Sequence, residues 1–238
     1  MRRFHFDKVI HFYYNIASVF EIQTITFVRD ISLEEYSMKQ RLMVFVCGLP
    51  SAGKSTVGDL IAQRLPERGW PIVSRLDIDD VRKTFMGLPD PHPEASQEAE
   101  RRDVAQMSEA WNGMFWWMDR QLTREWPCIF TGTLSSQKHG QDRLMAVCAN
   151  HPEALVKVIW CRIPEGEDTR EEIERRMQER GFGAGGYIGA TNSYERWVVL
   201  RDRYNPITIP HHVLWTPRSR TPQECADEAV AYILGGAL

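Results

Sequence analysis

The residues with the clearest chemical signature form one continuous segment, 48–56, which matches the phosphate-binding loop pattern G-x-x-x-x-G-K-[ST] in full. Its members are Gly48, Leu49, Pro50, Ser51, Ala52, Gly53, Lys54, Ser55 and Thr56. The glycines permit a turn in which main-chain N–H groups point at a polyphosphate. Lys54 can reach the β- and γ-phosphates of a nucleotide, and the Ser55 hydroxyl can ligate Mg²⁺. The segment predicts a binding site for a nucleotide and its Mg²⁺, and because no Asn/Thr-Lys-x-Asp motif for guanine is present, we expect ATP.

A second candidate segment, 75–82, reads RLDIDDVR and follows a short predicted strand. Asp77 and Asp79 then project from one face at the strand end, which is where open parallel sheets bind their ligands. A carboxylate there can take the proton of an attacking hydroxyl or help to hold Mg²⁺. Arg82, about one turn later, can hold an anionic group of the acceptor in a bidentate grip. The alternative is a helix cap, formed by Asp79 or Asp80, in a solvated acidic turn.

The third segment contains Arg176 and Arg180, which lie four residues apart and so share one face of a predicted helix. A glycine-rich stretch, 181–186, follows. Two arginines ahead of such a turn suit a lid that closes over phosphates and neutralises charge in the transition state. The alternative is a surface helix held by ion pairs, because glutamates are interleaved with the arginines.

The predicted elements that must position these residues alternate between strand and helix. An apolar strand over 42–47 precedes the phosphate loop, and apolar residues at helical spacing follow it. Further strands are predicted over 72–76, 127–131, 155–161 and 207–215, the last of which is broken by Pro210. Helices are predicted over 94–125 and 168–180. A final helix is predicted from a capping box at 221–224 to about Leu234. This alternation predicts a three-layer α/β/α phosphate-loop NTPase fold with a mainly parallel five-stranded sheet and a helical lid at about 165–195.

The overall composition counts modestly against a dedicated nucleic-acid-binding protein, although a local basic patch remains possible. The chain has 238 residues, is 43% hydrophobic and 26% charged, and carries a net charge of −3, so no global basic field attracts nucleic acid or an anionic membrane. The five cysteines form no C-x-x-C pair, which favours small buried side chains in a reducing compartment. We therefore expect a cytoplasmic protein with neither a zinc site nor a disulfide.

Residues 1–37 form an N-terminal extension of unassigned role. Aromatic and β-branched side chains are frequent in it, but the interspersed polar residues make it too polar to span a bilayer. Arg2 and Arg3 precede an apolar stretch as in a signal peptide, although His11 and Asn15 interrupt that stretch. One hypothesis is that Met38 is the true start and that residues 1–37 are dispensable; we expect 38–238 to form the domain that carries the phosphate loop.

Segments 48–56 and 76–82 together resemble the small phosphate-loop kinases that include adenylyl-sulfate kinase and polynucleotide 5′-hydroxyl kinase. The resemblance covers about 42–200. It implies that Asp79 is the general base, that Arg82 clamps the substrate, and that Arg176 and Arg180 match the Arg-x-x-x-Arg-Gly of the lid. After the third predicted strand the sequence differs from the motifs of both of these kinase families.

The departure lies at 130–134, which read FTGTL where adenylyl-sulfate kinases have Phe-Ile-Ser-Pro. Polynucleotide kinases have an aspartate near the position of Gly132. This difference moves the expected magnesium support to Ser55 and Asp77, or to Asp79.

These observations lead to one expected activity and several alternatives. We expect an ATP- and Mg²⁺-dependent kinase that transfers the γ-phosphate to a hydroxyl of a small molecule. The alternatives are a polynucleotide 5′-hydroxyl kinase, a toxin-like kinase of nucleotide-sugars, and a regulatory protein that binds ATP without phosphorylating an acceptor. No membrane partner is expected.

Overall fold

The computed structural model describes residues 41–70, 74–86, 96–134, 140–179 and 193–235. A five-stranded sheet organises them in the order β2-β3-β1-β4-β5, with every pairing parallel. The strands are β1 Leu42–Gly48, β2 Ser74–Asp77, β3 Cys128–Gly132, β4 Leu155–Arg162 and β5 His212–Trp215. All described residues belong to one compact unit, Gln40–Leu238. The expectations for residues 1–37 lie outside the described residues.

Strand β1 occupies the centre of the sheet because its sequence is apolar throughout. Its seven residues, LMVFVCG, are all buried, as expected of a parallel strand that is covered on both faces. Gly48 of β1 is aligned with Cys161 of β4, and Cys47 is aligned with Gly132 of β3. The phosphate loop therefore leaves the sheet between the carboxyl ends of two neighbouring strands.

Helices cover both faces of the sheet. In the described residues they are α1 Lys54–Arg64, α2 Ile78–Met86, α3 Gln97–Thr123, α4 Gly140–Asn150, α5 Arg170–Glu179, α6 Tyr194–Asp202 and α7 Pro222–Ile233, with a short 3₁₀ helix at Pro66–Arg68. Helices α1 and α7 pack on one face, and α2, α3 and α4 pack on the other. The predicted three-layer α/β/α fold with a parallel five-stranded sheet is confirmed. None of the helices described combines the length and apolar character needed to cross a bilayer.

Most predicted elements are present, with boundaries shifted by a few residues. The helix predicted over 94–125 is α3, which Ser96 caps by accepting a hydrogen bond from the Ala99 N–H at 3.0 Å. The capping box of α7 is confirmed, because Thr221 and Glu224 exchange hydrogen bonds. Of the second predicted strand, the described part begins at Ser74 and continues to Asp77. Helix α4 has no counterpart in the prediction.

The fifth strand is shorter than predicted. Only His212–Trp215 pairs with the sheet, whereas 207–209 belongs to the connection from α6. The N–H groups of Thr208 and Ile209 donate to Gln141 Oε1, at 2.8 and 3.4 Å, rather than to a neighbouring strand. This side-chain acceptor on α4 satisfies the backbone groups that strand pairing would otherwise satisfy.

Candidate active site

The phosphate loop connects β1 to α1, and its two glycines have positive φ. Gly48 has φ 144° and Gly53 has φ 82°. A β-carbon on Gly48 would lie 2.4 Å from the Cys161 carbonyl oxygen, so β4 leaves no room for a side chain there. Helix α1 begins at Lys54, directly after the loop. The N–H groups of its first turn and its positive dipole end are thereby directed at the loop, which is the arrangement that binds phosphate.

Lys54 lies inside the curve of this loop. Its side chain is buried, and Nζ donates to the Leu49 carbonyl at 2.9 Å. Burial raises the pKa of the neighbouring Cys161 thiol to about 12 and raises that of Cys47 well above its usual value. Because both thiols stay protonated near neutral pH, Lys54 faces no thiolate charge from either of them.

Three consecutive carbonyls of the loop accept hydrogen bonds from outside it. Trp197 Nε1 donates to Pro50 at 2.9 Å, Arg176 Nη1 to Ser51 at 3.3 Å and Thr216 Oγ1 to Ala52 at 3.3 Å. In a planar trans peptide the carbonyl and the next N–H point in opposite directions. The outward carbonyls of Pro50 and Ala52 therefore direct the N–H groups of Ser51 and Gly53 towards the interior. Sequence reasoning missed Trp197 and Thr216.

Arg176 lies between α5, the phosphate loop and the end of β5. Its Nη2 donates to the Thr216 carbonyl at 2.7 Å, and its Nε donates to Glu172 Oε1 at 2.6 Å. Hydrogen bonds from Arg175, and then from Arg176, lower the pKa of Glu172 to about 2, so that Glu172 stays charged at neutral pH. Arg175 pairs with Glu172 and Glu179, whereas Arg176 pairs with Glu172 and also reaches the loop. Arg180 lies outside the described residues.

Asp77, the last residue of β2, links the phosphate loop to the neighbouring strand. Its Oδ2 accepts from Ser55 Oγ at 2.9 Å and from Thr131 Oγ1 in a shorter hydrogen bond. Its Oδ1 accepts the Asp79 N–H at 2.9 Å, and Arg75 Nη2 lies 3.6 Å from Oδ2. The structure thus brings together Ser55 and Asp77, the two residues predicted to support Mg²⁺, and adds Thr131, which sequence reasoning did not select.

A glycine on α1 makes this arrangement compatible with close packing. A β-carbon on Gly58 would lie 2.7 Å from Thr131 Cγ2, a distance too short for two carbon atoms. The absence of a side chain at Gly58 therefore lets α1 approach β3. This contact keeps Ser55 and Thr131 on the same carboxylate.

The oxygen groups at this position fit Mg²⁺. A serine hydroxyl and a carboxylate are hard oxygen ligands, and Mg²⁺ usually binds one or two such protein groups together with water and substrate phosphates. Within the described ranges, no group of three or more His, Cys, Asp or Glu side chains could hold a metal ion by itself.

The aspartates after Asp77 lie in the first turn of α2, which corrects the predicted cap. Because α2 begins at Ile78, Asp77 precedes the helix and accepts the N–H of Asp79 in the manner of a cap. Asp79 is half-buried. Asp80 is exposed, and its pKa is raised by partial burial and then by the Asp77 charge. Of these two aspartates, Asp79 is the less exposed, and its N–H contacts Asp77.

Arg82 is held between α2 and α3. It is only 1% exposed, and its Nη2 forms an ion pair with Asp103 and a 3.1 Å hydrogen bond with Gln106. Its Nε and Nη1 atoms are buried and have no hydrogen-bond partner in the described parts of the chain. The pairing with Asp103 offsets the positive charge of Arg82, while two nitrogen atoms keep their donor capacity.

The order of the strands, the loop after β1 and the carboxylate after β2 define a phosphate-loop NTPase with a kinase-like fold. A family model described as AAA domain matches residues 43–185, which is more than half of the chain. The chain therefore belongs to this AAA domain family. This membership confirms the resemblance to the small phosphate-loop kinases that include adenylyl-sulfate kinase and polynucleotide 5′-hydroxyl kinase. A comparison with curated proteins gives no match.

Several solved structures share the fold at low sequence identity. A protein from Chloroflexus aurantiacus J-10-fl has a TM-score of 0.57 at 14% identity and covers 84% of this chain and 100% of its own. Kti12 of Chaetomium thermophilum, solved with ADP-AlF3, has a TM-score of 0.54 at 16% identity, covering 82% and 99%. A gluconokinase from Sinorhizobium meliloti has a TM-score of 0.50 at 13% identity, covering 83% and 94%. These likenesses establish the fold.

Proposed function

We propose that the protein is an ATP-dependent phosphotransferase that moves the γ-phosphate of ATP to a hydroxyl of a small molecule. The observation that carries the proposal is the contact between Ser55, in the first turn after the phosphate loop, and the Asp77 carboxylate at 2.9 Å. Two hard oxygen groups that could hold Mg²⁺ are thus in contact beside the loop, and a further carboxylate, Asp79, follows two residues along the chain. The gluconokinase of the same fold acts on a hydroxyl compound, as its name states, which supports this class of acceptor.

The nucleotide half of the proposed site is formed by segment 48–56. Inward N–H groups of the loop bind the phosphates of ATP, and Lys54 neutralises charge on the β- and γ-phosphates. Ser55 and Asp77 are the residues that would hold Mg²⁺, which neutralises phosphate charge when it is bound. Thr131 orients the Asp77 carboxylate by donating to it.

The acceptor half is formed by residues of α2. Asp79 takes the proton from the acceptor hydroxyl, whose oxygen forms a bond to the γ-phosphorus as the bond from that phosphorus to the ADP oxygen breaks. ADP leaves with the electron pair of that bond. Proton transfer to a positioned carboxylate accelerates such a reaction by about 10²- to 10⁴-fold.

Three arginine side chains are also assigned roles in the proposed reaction. Arg82 is assigned to positioning the acceptor, which requires that its buried Nε and Nη1 donors become exposed, while Asp103 fixes the guanidinium from the other side. Arg176 and Arg180 are assigned to the charge of the transferring phosphoryl group. For Arg176 this requires a movement of its side chain, which donates to the outward Ser51 carbonyl at 3.3 Å, to the Thr216 carbonyl and to Glu172.

A transfer screen tests the proposal directly. Purified protein is incubated with γ-labelled ATP, Mg²⁺ and a panel of acceptors: sugars and sugar acids, nucleosides, nucleotide-sugars, adenylyl sulfate, aminoglycoside-type alcohols and a 5′-hydroxyl oligonucleotide. Lys54→Ala serves as the control. We expect label on a small-molecule hydroxyl, and none with Lys54→Ala.

Each other result of the screen contradicts the proposal in a recognisable way. Label on the oligonucleotide, weakened by salt, would identify an end-healing kinase instead. Tight ATP binding with slow hydrolysis and no labelled acceptor would identify a regulatory ATP-binding protein. Transfer by Lys54→Ala at the wild-type rate would remove the phosphate loop from the reaction.

A further inference from the structure

A second arginine, Arg162, lies near the phosphate loop in a very different environment from Arg82. It is the last residue of β4 and is exposed, whereas Arg82 is buried. The preceding residue, Cys161, is aligned with Gly48 of the loop. The Arg162 carbonyl accepts the Thr216 N–H at 2.8 Å, and Thr216 in turn donates through its hydroxyl to the loop carbonyl of Ala52. The backbone of Arg162 is thus fixed to the structure that holds the loop.

The guanidinium of Arg162 lies over two indole rings. Its Cζ is 4.6 Å from the centre of the Trp160 ring and 4.9 Å from that of Trp215. Trp160 is itself held by a stacked Tyr204 at 6.0 Å and by an edge contact with His211 at 5.4 Å. A cation that rests on packed aromatic rings loses less conformational freedom on binding an anion than a free arginine does.

Arg162 differs in its charge pairing from the other arginines at this edge of the sheet. Arg75, Arg82 and Arg176 each pair with a carboxylate. Among the residues that the structure describes, Arg162 has no carboxylate within ion-pair distance, and its contacts are the two indoles. Stacking uses the flat face of a guanidinium, so the N–H edges remain for a bidentate acceptor such as a carboxylate, sulfate or phosphate.

The face on which Arg162 lies is the one that carries the proposed base. Trp160 packs against the apolar cluster beneath α2, α3 and α4. Because side chains two residues apart on a strand point to the same face, Arg162 follows Trp160 there. Ile78, which immediately precedes Asp79, belongs to that cluster. Arg162 and Asp79 therefore lie at the same edge and towards the same face of the sheet.

We propose that Arg162 binds an anionic group of the acceptor, so that the molecule phosphorylated on its hydroxyl also carries a carboxylate, sulfate or phosphate. This inference rests on the proposed function, because it names the acceptor class of the same site. The charge of the buried Arg82 is offset by Asp103, so Arg162 contributes the net positive charge that selects an anion over a neutral alcohol.

The test uses inorganic sulfate as the probe and saturating Mg·ADP to fill the phosphate loop, which itself binds anions. Sulfate binding is followed by calorimetry and by tryptophan fluorescence. We expect wild-type protein to bind sulfate and Arg162→Gln to bind it about tenfold or more weakly, the loss of one charged bidentate contact. Arg124→Gln is the matched control, because Arg124 is also exposed and lies over a tryptophan ring, Trp126, at the amino end of the sheet.

The outcomes separate this inference from the proposed function, because no turnover is needed. Equal sulfate binding by wild type and Arg162→Gln, an equal loss in Arg124→Gln, or no binding by wild type overturns it. If Arg162→Gln does not fold, Arg162→Met decides, since it keeps an unbranched side chain and removes the charge; unchanged binding there also overturns it. A failed transfer screen with sulfate binding lost in Arg162→Gln leaves the anion site standing.

Discussion

The nucleotide half and the acceptor half of the proposed site are built in different ways. The phosphate loop is one continuous segment whose backbone conformation follows from its own glycines and from the start of α1. The acceptor half combines Asp79 and Arg82 of α2 with Asp103 of α3 and Arg162 of β4, which lie far apart in the chain. A short motif is therefore sufficient to identify the nucleotide half, whereas the acceptor half depends on contacts that only the folded chain creates.

Within the acceptor half, the largest effect on transfer is expected from Asp79→Asn. Removing the base should lower turnover by about 10²- to 10⁴-fold, while ATP affinity and the unfolding temperature stay close to wild type. The measurement is kcat for the acceptor found in the screen, with ATP affinity determined by calorimetry. Asp80→Asn is the control, because Asp80 is the exposed neighbour, and its turnover should remain near normal. Near-normal turnover of Asp79→Asn would remove Asp79 from the base role.

The contact between α2 and α3 should appear as a large effect on stability. Arg82→Met leaves Asp103 as an uncompensated buried charge, which should lower the free energy of unfolding by about 3–5 kcal/mol. The double variant Arg82→Met with Asp103→Leu should recover most of that loss, because it removes both charges. Urea denaturation of the wild type, both single variants and the double variant checks this. Additive losses in the double variant would show that the two residues do not act as a pair.

A smaller effect, on Mg²⁺ affinity, is expected where Thr131 contacts Asp77, one of the two residues proposed to hold the metal. Thr131→Val keeps the size of the side chain but removes the hydroxyl that donates to Asp77. We expect about 10- to 100-fold weaker Mg²⁺ binding in the presence of ADP, the usual consequence of losing a group that orients a metal ligand. Titration with Mn²⁺ followed by electron paramagnetic resonance provides a readout that needs no turnover. Thr123→Val, an exposed threonine at the end of α3, should bind the metal like wild type.

The smallest effect is expected where the loop is held from outside. Thr216→Val removes the hydroxyl that donates to the Ala52 carbonyl and should weaken ATP binding about fivefold, the equivalent of about 1 kcal/mol for one hydrogen bond. Thr221→Val is the control: it should lose about 1 kcal/mol of stability through the cap of α7 while its ATP affinity stays unchanged. Equal ATP affinity of Thr216→Val and wild type would mean that the outward hydrogen bond does not shape the loop.

The sequence identified those features that depend on neighbouring residues. The loop, the capping box at Thr221 and the apolar strand β1 could each be predicted because a few adjacent residues determine their backbone conformation. The fold class could be predicted from the alternation of strands and helices. The pairing of Ser55 with Asp77 could be anticipated because both follow strands of one parallel sheet.

The features that the sequence did not reveal depend on long-range contacts. Trp197 is separated from Pro50 by 147 positions, and neither residue belongs to a recognisable pattern that links them. Thr131 gains its role only because β3 lies between β1 and β2 and because Gly58 allows α1 to approach. Likewise, 207–209 has the composition of a strand, but Gln141 of α4 takes its N–H groups. Such outcomes are decided by which elements become neighbours.

The central claim is that the protein transfers the γ-phosphate of ATP to an acceptor. The most direct test is to measure how much labelled acceptor forms for each ADP produced. With γ-labelled ATP, Mg²⁺ and an anionic hydroxyl acceptor, ADP and labelled acceptor are quantified together in wild type and in Lys54→Ala. We predict one labelled acceptor for every ADP in wild type and neither product above background in Lys54→Ala. ADP formed without labelled acceptor, or label transferred by Lys54→Ala at the wild-type rate, would contradict the assignment of this protein as a phosphate-loop kinase.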